Sequence, residues 1–116
     1  MLLVGGLLLI IVAAIASGWK YELGAPKLNE PSNVTATSVE LSWSEVKEAE
    51  LYLLDVSTRP DFKPTVSDYS KKELTKTNTM VKGLEGGETY YVRVFAKSKS
   101  AVSGASNVIQ VVTVSR

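Results

Sequence analysis

The chain contains neither cysteine nor histidine among its 116 residues. Without cysteine it can form no disulfide and no thiolate metal site. Without histidine it cannot assemble a Ser–His–Asp or Cys–His catalytic arrangement, nor an imidazole metal centre. Acid–base chemistry would have to rest on carboxylates, lysine or tyrosine alone. These absences predict a protein that is not an enzyme and that uses no metal and no cofactor.

A marked excess of either charge is also missing. The 13 basic and 12 acidic residues leave a net charge of +1. This balance predicts that nucleic acid is not a partner, because such partners call for a basic surface. Glu45, Glu48 and Glu50 crowd one turn, but they lack the ordered ligands and the tight-turn glycine of a calcium loop. We interpret that turn as a solvated acidic loop.

Charged side chains are absent altogether from residues 1–19. As a helix this run would reach roughly 28 Å, close to the thickness of the hydrocarbon core of a bilayer. Trp19, Lys20 and Tyr21 stand where an aromatic belt and a snorkelling lysine are expected at the membrane interface. The sequence therefore predicts a transmembrane helix over residues 1–21 and a linker over residues 22–26, which contains the helix-breaking Gly24-Ala25-Pro26.

Two alternatives to the transmembrane anchor remain open. Ala14-Ile15-Ala16 has the small-x-small form of a cleavage site, so the same run could be a signal peptide. Cleavage would leave a secreted or surface-displayed module for adhesion or ligand recognition. A pilin-like filament subunit would also begin with an apolar helix, although the acidic residue usual near the start of bacterial pilins is absent. The length of the run and the interface residues favour the anchor.

The chain from Lys27 onward alternates apolar and polar residues with period two. Turns rich in glycine, proline and asparagine interrupt the pattern. It predicts seven strands, over residues 27–34, 39–44, 50–58, 66–70, 78–82, 89–97 and 107–114. Seven short strands at this spacing indicate an all-β fold, an antiparallel Greek-key sandwich over residues 27–116.

One corner of this sandwich has a specific sequence pattern. Leu84 and the glycine turn Gly86-Gly87 lead into Tyr90 and then into strict alternation. This pattern predicts a tyrosine corner, in which the hydroxyl group bonds back across the turn. Tyr90, Val92, Val94 and Ala96 are then expected to point inward.

Several segments together resemble the fibronectin type III domain. They are residues 38–43 with a core Trp43, residues 52–58 followed by Phe62, residues 83–96 with the corner, and residues 106–109. The resemblance covers about residues 26–115 and implies a seven-stranded, usually extracytoplasmic sandwich that acts as a spacer or binding module. The residue pattern of these segments is similar to that of repeats in surface proteins of Bacteroidetes-type bacteria and their phages. The integrin-binding Arg-Gly-Asp is absent from residues 98–105, so integrin adhesion is not implied.

Alternation also predicts a protein-contact surface on the outside of one sheet. Its members are apolar side chains expected to point outward and to line up across three strands as a stripe: Leu51, Leu53, Tyr91, Phe95, Val108 and Val112. The last strand offers a second route to contact. It is rich in valine and unprotected by proline or internal charge, so its edge could pair with a neighbouring chain.

These observations lead to one functional prediction. The chain is expected to be a non-catalytic, membrane-anchored interaction protein and a minor structural subunit of a larger surface or virion assembly. Its expected partners are the lipid bilayer, other proteins of that assembly, and further copies of itself as a homo-oligomer. Lys20 and Lys27 slightly favour a cytoplasmic domain by the positive-inside rule, but the family resemblance favours a single-pass protein whose domain is extracytoplasmic or virion-associated.

Overall fold

The computed structural model describes residues 23–116, which fold into two antiparallel sheets. A two-stranded sheet has the order β1-β4, and a four-stranded sheet has the order β3-β2-β5-β6. The strands are β1 Val39–Ser42, β2 Leu51–Ser57, β3 Lys72–Leu74, β4 Asn78–Val81, β5 Thr89–Lys97 and β6 Ile109–Val112. The all-β sandwich is confirmed, with six strands in the described residues where seven were predicted.

The first predicted strand, over residues 27–34, is replaced by an extended segment. It pairs with the β1 region only at two isolated positions, Leu28 opposite Trp43 and Ser32 opposite Glu40. Pro31 between them has no N–H to donate to a ladder. Asn33 then turns the chain away with a φ of 46°. A continuous strand is therefore interrupted by the local backbone chemistry.

The strand predicted over residues 66–70 is wrong in position. The N–H of Tyr69 donates to the C=O of Val66 at 2.9 Å, which closes a tight turn. Val56 of β2 holds this turn through two backbone hydrogen bonds, of 2.7 Å with Val66 and 3.0 Å with Tyr69. Asp68 has a φ of 73°, which a strand cannot contain. The strand β3 begins only at Lys72.

The core lies between the two sheets and follows the predicted alternation. Along β5, Tyr90, Val92, Val94 and Ala96 are all buried, while the residues between them are half-buried. Trp43 is 3% exposed, and its ring centroid lies 5.9 Å from that of Tyr52. Burial of each such large apolar side chain contributes about 1.5–3 kcal/mol, so this layer is the main source of stability.

The predicted tyrosine corner is present. The Tyr90 hydroxyl oxygen accepts a hydrogen bond from the N–H of Glu85 at 2.8 Å. The Thr113 hydroxyl oxygen accepts from the N–H of Glu88 at 2.9 Å and donates to the C=O of Glu85 at 2.6 Å. These bonds satisfy turn polar groups that would otherwise be left unpaired beside the core, and they join the start of β5 to the end of the chain.

The described chain enters the sandwich at one end and leaves it at the other. Leu28 lies opposite Trp43, and Leu51 lies opposite Lys97, so the loops after β1 and β5 share the end where the chain enters. We call this end the entry pole. The C-terminal residues follow β6 to the opposite end, which also holds the tyrosine corner. Leu23, within the predicted linker, is already buried in the core cluster.

Candidate protein-contact surface

The candidate surface lies on the outer side of the four-stranded sheet, away from the core. Neighbouring strands β2 and β5 bring outward residues into register there. Leu53 lies opposite Phe95, Asp55 opposite Arg93, and Ser57 opposite Tyr91. The predicted outward direction of Leu53, Tyr91 and Phe95 agrees with this register, because their inward neighbours along both strands are buried in the core.

Most of the β2 side of this outer face is covered rather than exposed. Asp55 and Ser57 are 1% and 0% exposed, and Leu53 is 7% exposed. Residues 58–71, the covering segment, supply this cover through Phe62 and Lys71, whose side chains lie against Arg93 and Phe95. Phe62 is itself 5% exposed. The hydroxyl group of Ser57 holds this segment by donating to the C=O of Pro64 at 2.6 Å.

A buried carboxylate organises the contacts beneath the covering segment. Asp55 accepts hydrogen bonds from the Arg93 Nε at 2.9 Å, from the Lys71 backbone N–H at 2.7 Å and from the Lys71 Nζ at 3.4 Å. We call Asp55, Phe62, Lys71, Arg93 and Phe95 the Asp55 cluster. A buried charge is tolerated only when it is paired and hydrogen-bonded in this way.

Aromatic rings complete the Asp55 cluster. The Arg93 guanidinium lies 4.1 Å from the Phe62 ring centroid and 5.2 Å from that of Phe95. The Lys71 ammonium lies 4.6 Å from the Phe95 centroid. These are cation–π distances. Phe95 is therefore a half-buried support for two cations, and its role within the fold is structural as well as surface-forming.

Sequence reasoning missed the Asp55 cluster. Two residues in the sequence could have indicated the cluster: Asp55, at an outward position of the mostly apolar β2, and Arg93, at an outward position of β5. Phe62, a lone large apolar residue in a polar segment, was noted only for the family resemblance. Together the three residue types indicate a loop that folds back over a sheet.

The six predicted contact residues do not form one continuous exposed stripe. Leu53 and Phe95 are direct neighbours, but Leu53 is buried and the Asp55–Arg93 pair follows beside them. Leu51 is the first residue of β2, and it is half-buried, as is Tyr91. The other two residues, Val108 and Val112, are 50% and 58% exposed. Their role in protein contact stays a prediction.

The predicted membrane-interface residues Trp19, Lys20 and Tyr21 lie outside the described residues, as does the predicted helix over residues 1–21. Between residues 23 and 116, no helix is long and apolar enough to cross a bilayer. Over the same range, no cluster of three or more metal-ligating side chains occurs.

The other sheet carries a shallow groove of about 340 Å³ on its outer side. Glu40, Ser42, Asn78 and Met80 contribute to its lining. The Glu40 carboxylate accepts a hydrogen bond of 2.7 Å from the Asn33 side-chain amide. The groove is open and polar, and its carboxylate is already engaged, so it does not gather the polar and apolar groups of a small-molecule site.

Comparison with known proteins identifies the sandwich. A family model described as the fibronectin type III domain matches residues 24–112. A fibronectin type III domain of the human fibronectin type III domain containing protein 3 is 19% identical, with a TM-score of 0.68 over 82% of this chain and 89% of that one. The corresponding domain of human collagen alpha-1(XX) is 26% identical, with a TM-score of 0.63 over 81% and 88%.

Larger proteins carry a similar domain. A fragment of titin, domains A168–A170, is 21% identical with a TM-score of 0.65. The match covers 79% of this chain but only 32% of the titin fragment. At such identities the likeness to titin concerns the fold of one domain.

Proposed function

The chain belongs to the fibronectin type III family, and from this membership we propose that it is a non-catalytic module that works by protein contact at a membrane. Domains of this family are β-sandwich modules that commonly mediate protein–protein interaction. The Asp55 cluster supports a non-catalytic role, since Asp55 is buried and engaged by Arg93 and Lys71. Its charged groups bind one another and so stabilise the fold.

The observation that carries the contact proposal is the concentration of exposed apolar side chains along β6 and the residues that flank it. Val108, Val112 and Val114 are each 50% exposed or more, next to a half-buried Tyr91 on β5. Exposed apolar side chains grouped along one strand are typical of a protein-contact surface. The contact surface we propose therefore lies toward β6, away from the covering segment.

The tether and the location are proposed from the sequence. The uncharged run of residues 1–19, ending at Trp19, has the length and the interface residues of a bilayer span. Such a span would hold the entry pole next to the membrane. We propose that the protein serves there as a minor subunit of a larger surface or virion assembly, with the domain extracytoplasmic or virion-associated.

The tether is tested by membrane fractionation with intact-mass measurement of the native protein. We expect a full-length mass in the membrane fraction that resists carbonate washing. A mass that begins at Ser17, in the soluble fraction, would instead establish the alternative of a secreted recognition module. A full-length protein released by carbonate would contradict both the transmembrane and the signal-peptide interpretation of residues 1–19.

The contact surface is tested by Tyr91→Glu, which places a charge on the outer face at a position that is not part of the Asp55 cluster. We expect the variant to fold and to lose its association with the assembly. The matched control is Lys99→Glu, which places the same side chain in the exposed loop after β5. Equal retention of both variants in the assembly would move the contact surface elsewhere.

A further inference from the structure

The backbone of β6 presents an unpaired side to its surroundings. The N–H of Thr113 donates to the C=O of Glu88, toward β5, at 3.0 Å, whereas the N–H of Val114 donates to the C=O of Thr35, on the opposite side, at 3.1 Å. Peptide directions alternate along a strand, so the N–H groups of Gln110 and Val112 point away from β5. In the four-stranded sheet of the described residues, no strand follows β6 on that side.

The open part of this edge is short and has defined limits. At one end, Asn107 exchanges two hydrogen bonds with the backbone of Leu28, of 2.8 and 3.0 Å. At the other end, Val114 is bonded to Thr35. Leu28 and Thr35 therefore occupy the two ends of this edge, and residues 108–112 remain open between these two contacts.

Natural sheets protect their edges with charge, proline or cover, and the open part of this edge, residues 108–112, carries neither charge nor proline. The other edge strand of this sheet, β3, carries Lys72 and Glu73. By contrast, residues 105–115 contain no charged side chain and no proline. The outward side chains of the open part, Val108, Gln110 and Val112, are all exposed. The β6 edge is thus the unprotected one in this sheet.

The open part also has a self-complementary pattern. Its outward side chains read Val108, Gln110, Val112, which is symmetric about Gln110. Antiparallel pairing about a two-fold axis at Gln110 would place Val108 of one copy opposite Val112 of the other. The two Gln110 amides would face each other, where each can donate and accept. A two-fold contact requires a surface that complements itself, and this strand meets that requirement without like charges.

We propose that β6 pairs antiparallel with β6 of a second copy of this chain about a two-fold axis at Gln110. The two four-stranded sheets then form one continuous sheet across the dimer. Five residues from each copy give a small contact, at the weak end of protein–protein interfaces. The pairing therefore gains strength when many pairs form at the same time.

The direction of the pairing determines which copies can meet, and this step rests on the proposed tether. Antiparallel strands place the two entry poles at opposite ends of the dimer. Leu23 is packed in the core, so only Glu22 separates the predicted span from the folded domain, a reach of about 7 Å. A copy cannot invert over that distance. Pairing accordingly joins copies on facing membranes, as an adhesive contact, and not neighbours within one membrane.

The pairing is tested on the full chain in detergent micelles by cysteine cross-linking, since the natural sequence has no cysteine. Directly opposed residues of a hydrogen-bonded antiparallel pair have Cα atoms about 5.5 Å apart, within the range of a disulfide. We expect Gln110→Cys to form a disulfide dimer, and Val108→Cys to cross-link with Val112→Cys only when the two are mixed. Val102→Cys, at 51% exposure off the β6 edge, is the matched control. Cross-linking of Gln110→Cys no faster than this control would overturn the pairing.

A charge variant gives an independent readout. Gln110→Lys would place two like charges opposite each other at the axis, and we expect a dimer roughly tenfold weaker by analytical ultracentrifugation. The thermal unfolding of the monomer should be unchanged, because Gln110 is exposed. Val102→Lys should leave the dimer intact. An unchanged Gln110→Lys dimer, or an equal loss with Val102→Lys, would overturn the proposal.

The facing-membrane arrangement is tested with two vesicle populations that carry Gln110→Cys chains of different mass tags. We expect mixed-tag disulfide dimers after the vesicles are combined. Dimers confined to a single tag would overturn the facing arrangement. A chain that fails to stay with the vesicles would instead refute the proposed tether, while the micelle experiment still decides the strand pairing.

Discussion

Removing the buried charge at the centre of the Asp55 cluster should destabilise the domain, and Asp55→Asn tests this. The side chain is 2% exposed, and its carboxylate faces the Arg93 Nε at 2.9 Å and the Lys71 Nζ at 3.4 Å. Breaking a fully buried ion pair costs about 3–5 kcal/mol. Here the side chains of Arg93 and Lys71 are 28% and 49% exposed and regain water. We therefore expect a loss of about 2–3 kcal/mol.

Urea unfolding of the full chain in mild detergent, followed by far-ultraviolet circular dichroism, measures this loss. For a domain of this size, 2–3 kcal/mol corresponds to a midpoint lower by about 2 M urea. The chain offers a matched control in Asp61, which pairs with Arg59 at 3.4 Å with both side chains more than half exposed. Asp61→Asn should lower the midpoint by much less than Asp55→Asn, because solvent screens this exposed pair. Equal midpoints for Asp55→Asn and Asp61→Asn would refute the stabilising role assigned to the cluster.

Three further predictions concern the core, a turn and one titrating group. Trp43→Ala should lower the free energy of unfolding by about 3–5 kcal/mol through cavity formation, measured by the same urea titration. Gly87→Ala should cost about 1–2 kcal/mol in that assay because Gly87 has a φ of 68°, whereas Gly24→Ala, with open space around it, should cost nothing. The N–H of Lys63 donates to Asp61 and lowers the pKa of that carboxyl below its ordinary value. A carboxyl group with a lowered pKa contributes stability that is present at neutral pH and is lost as pH falls through that pKa. An Asp61 pKa at or above the ordinary value, measured by NMR titration, would contradict this prediction.

The features predicted from the sequence are those encoded locally. Strand β5 was predicted over residues 89–97 and is found there, because alternation over nine residues indicates both the strand and its buried side. The tyrosine corner followed from a leucine, a glycine turn and a tyrosine within a few residues. Trp43 was expected in the core and lies there. In each case short-range pattern and tertiary burial agree.

The features that were missed depend on contacts between distant parts of the chain. Residues 66–70 have the composition of a strand, but two hydrogen bonds to Val56 hold them in a turn. Leu53 points outward as its alternation requires, yet it is buried, on a face where Phe62 and Lys71 of the covering segment pack against Arg93 and Phe95. Periodicity indicates which side of a strand a residue occupies. It cannot indicate that a loop some ten residues later returns to cover that side.

We propose that this protein acts by contact with other protein chains. Native mass measurement of the untagged protein, extracted in mild detergent from the cells that produce it, tests this proposal. We expect the protein to be extracted as part of a larger particle, and Tyr91→Glu to shift the population toward the mass of a single chain. A single-chain mass for the unaltered protein at its native abundance would contradict the account.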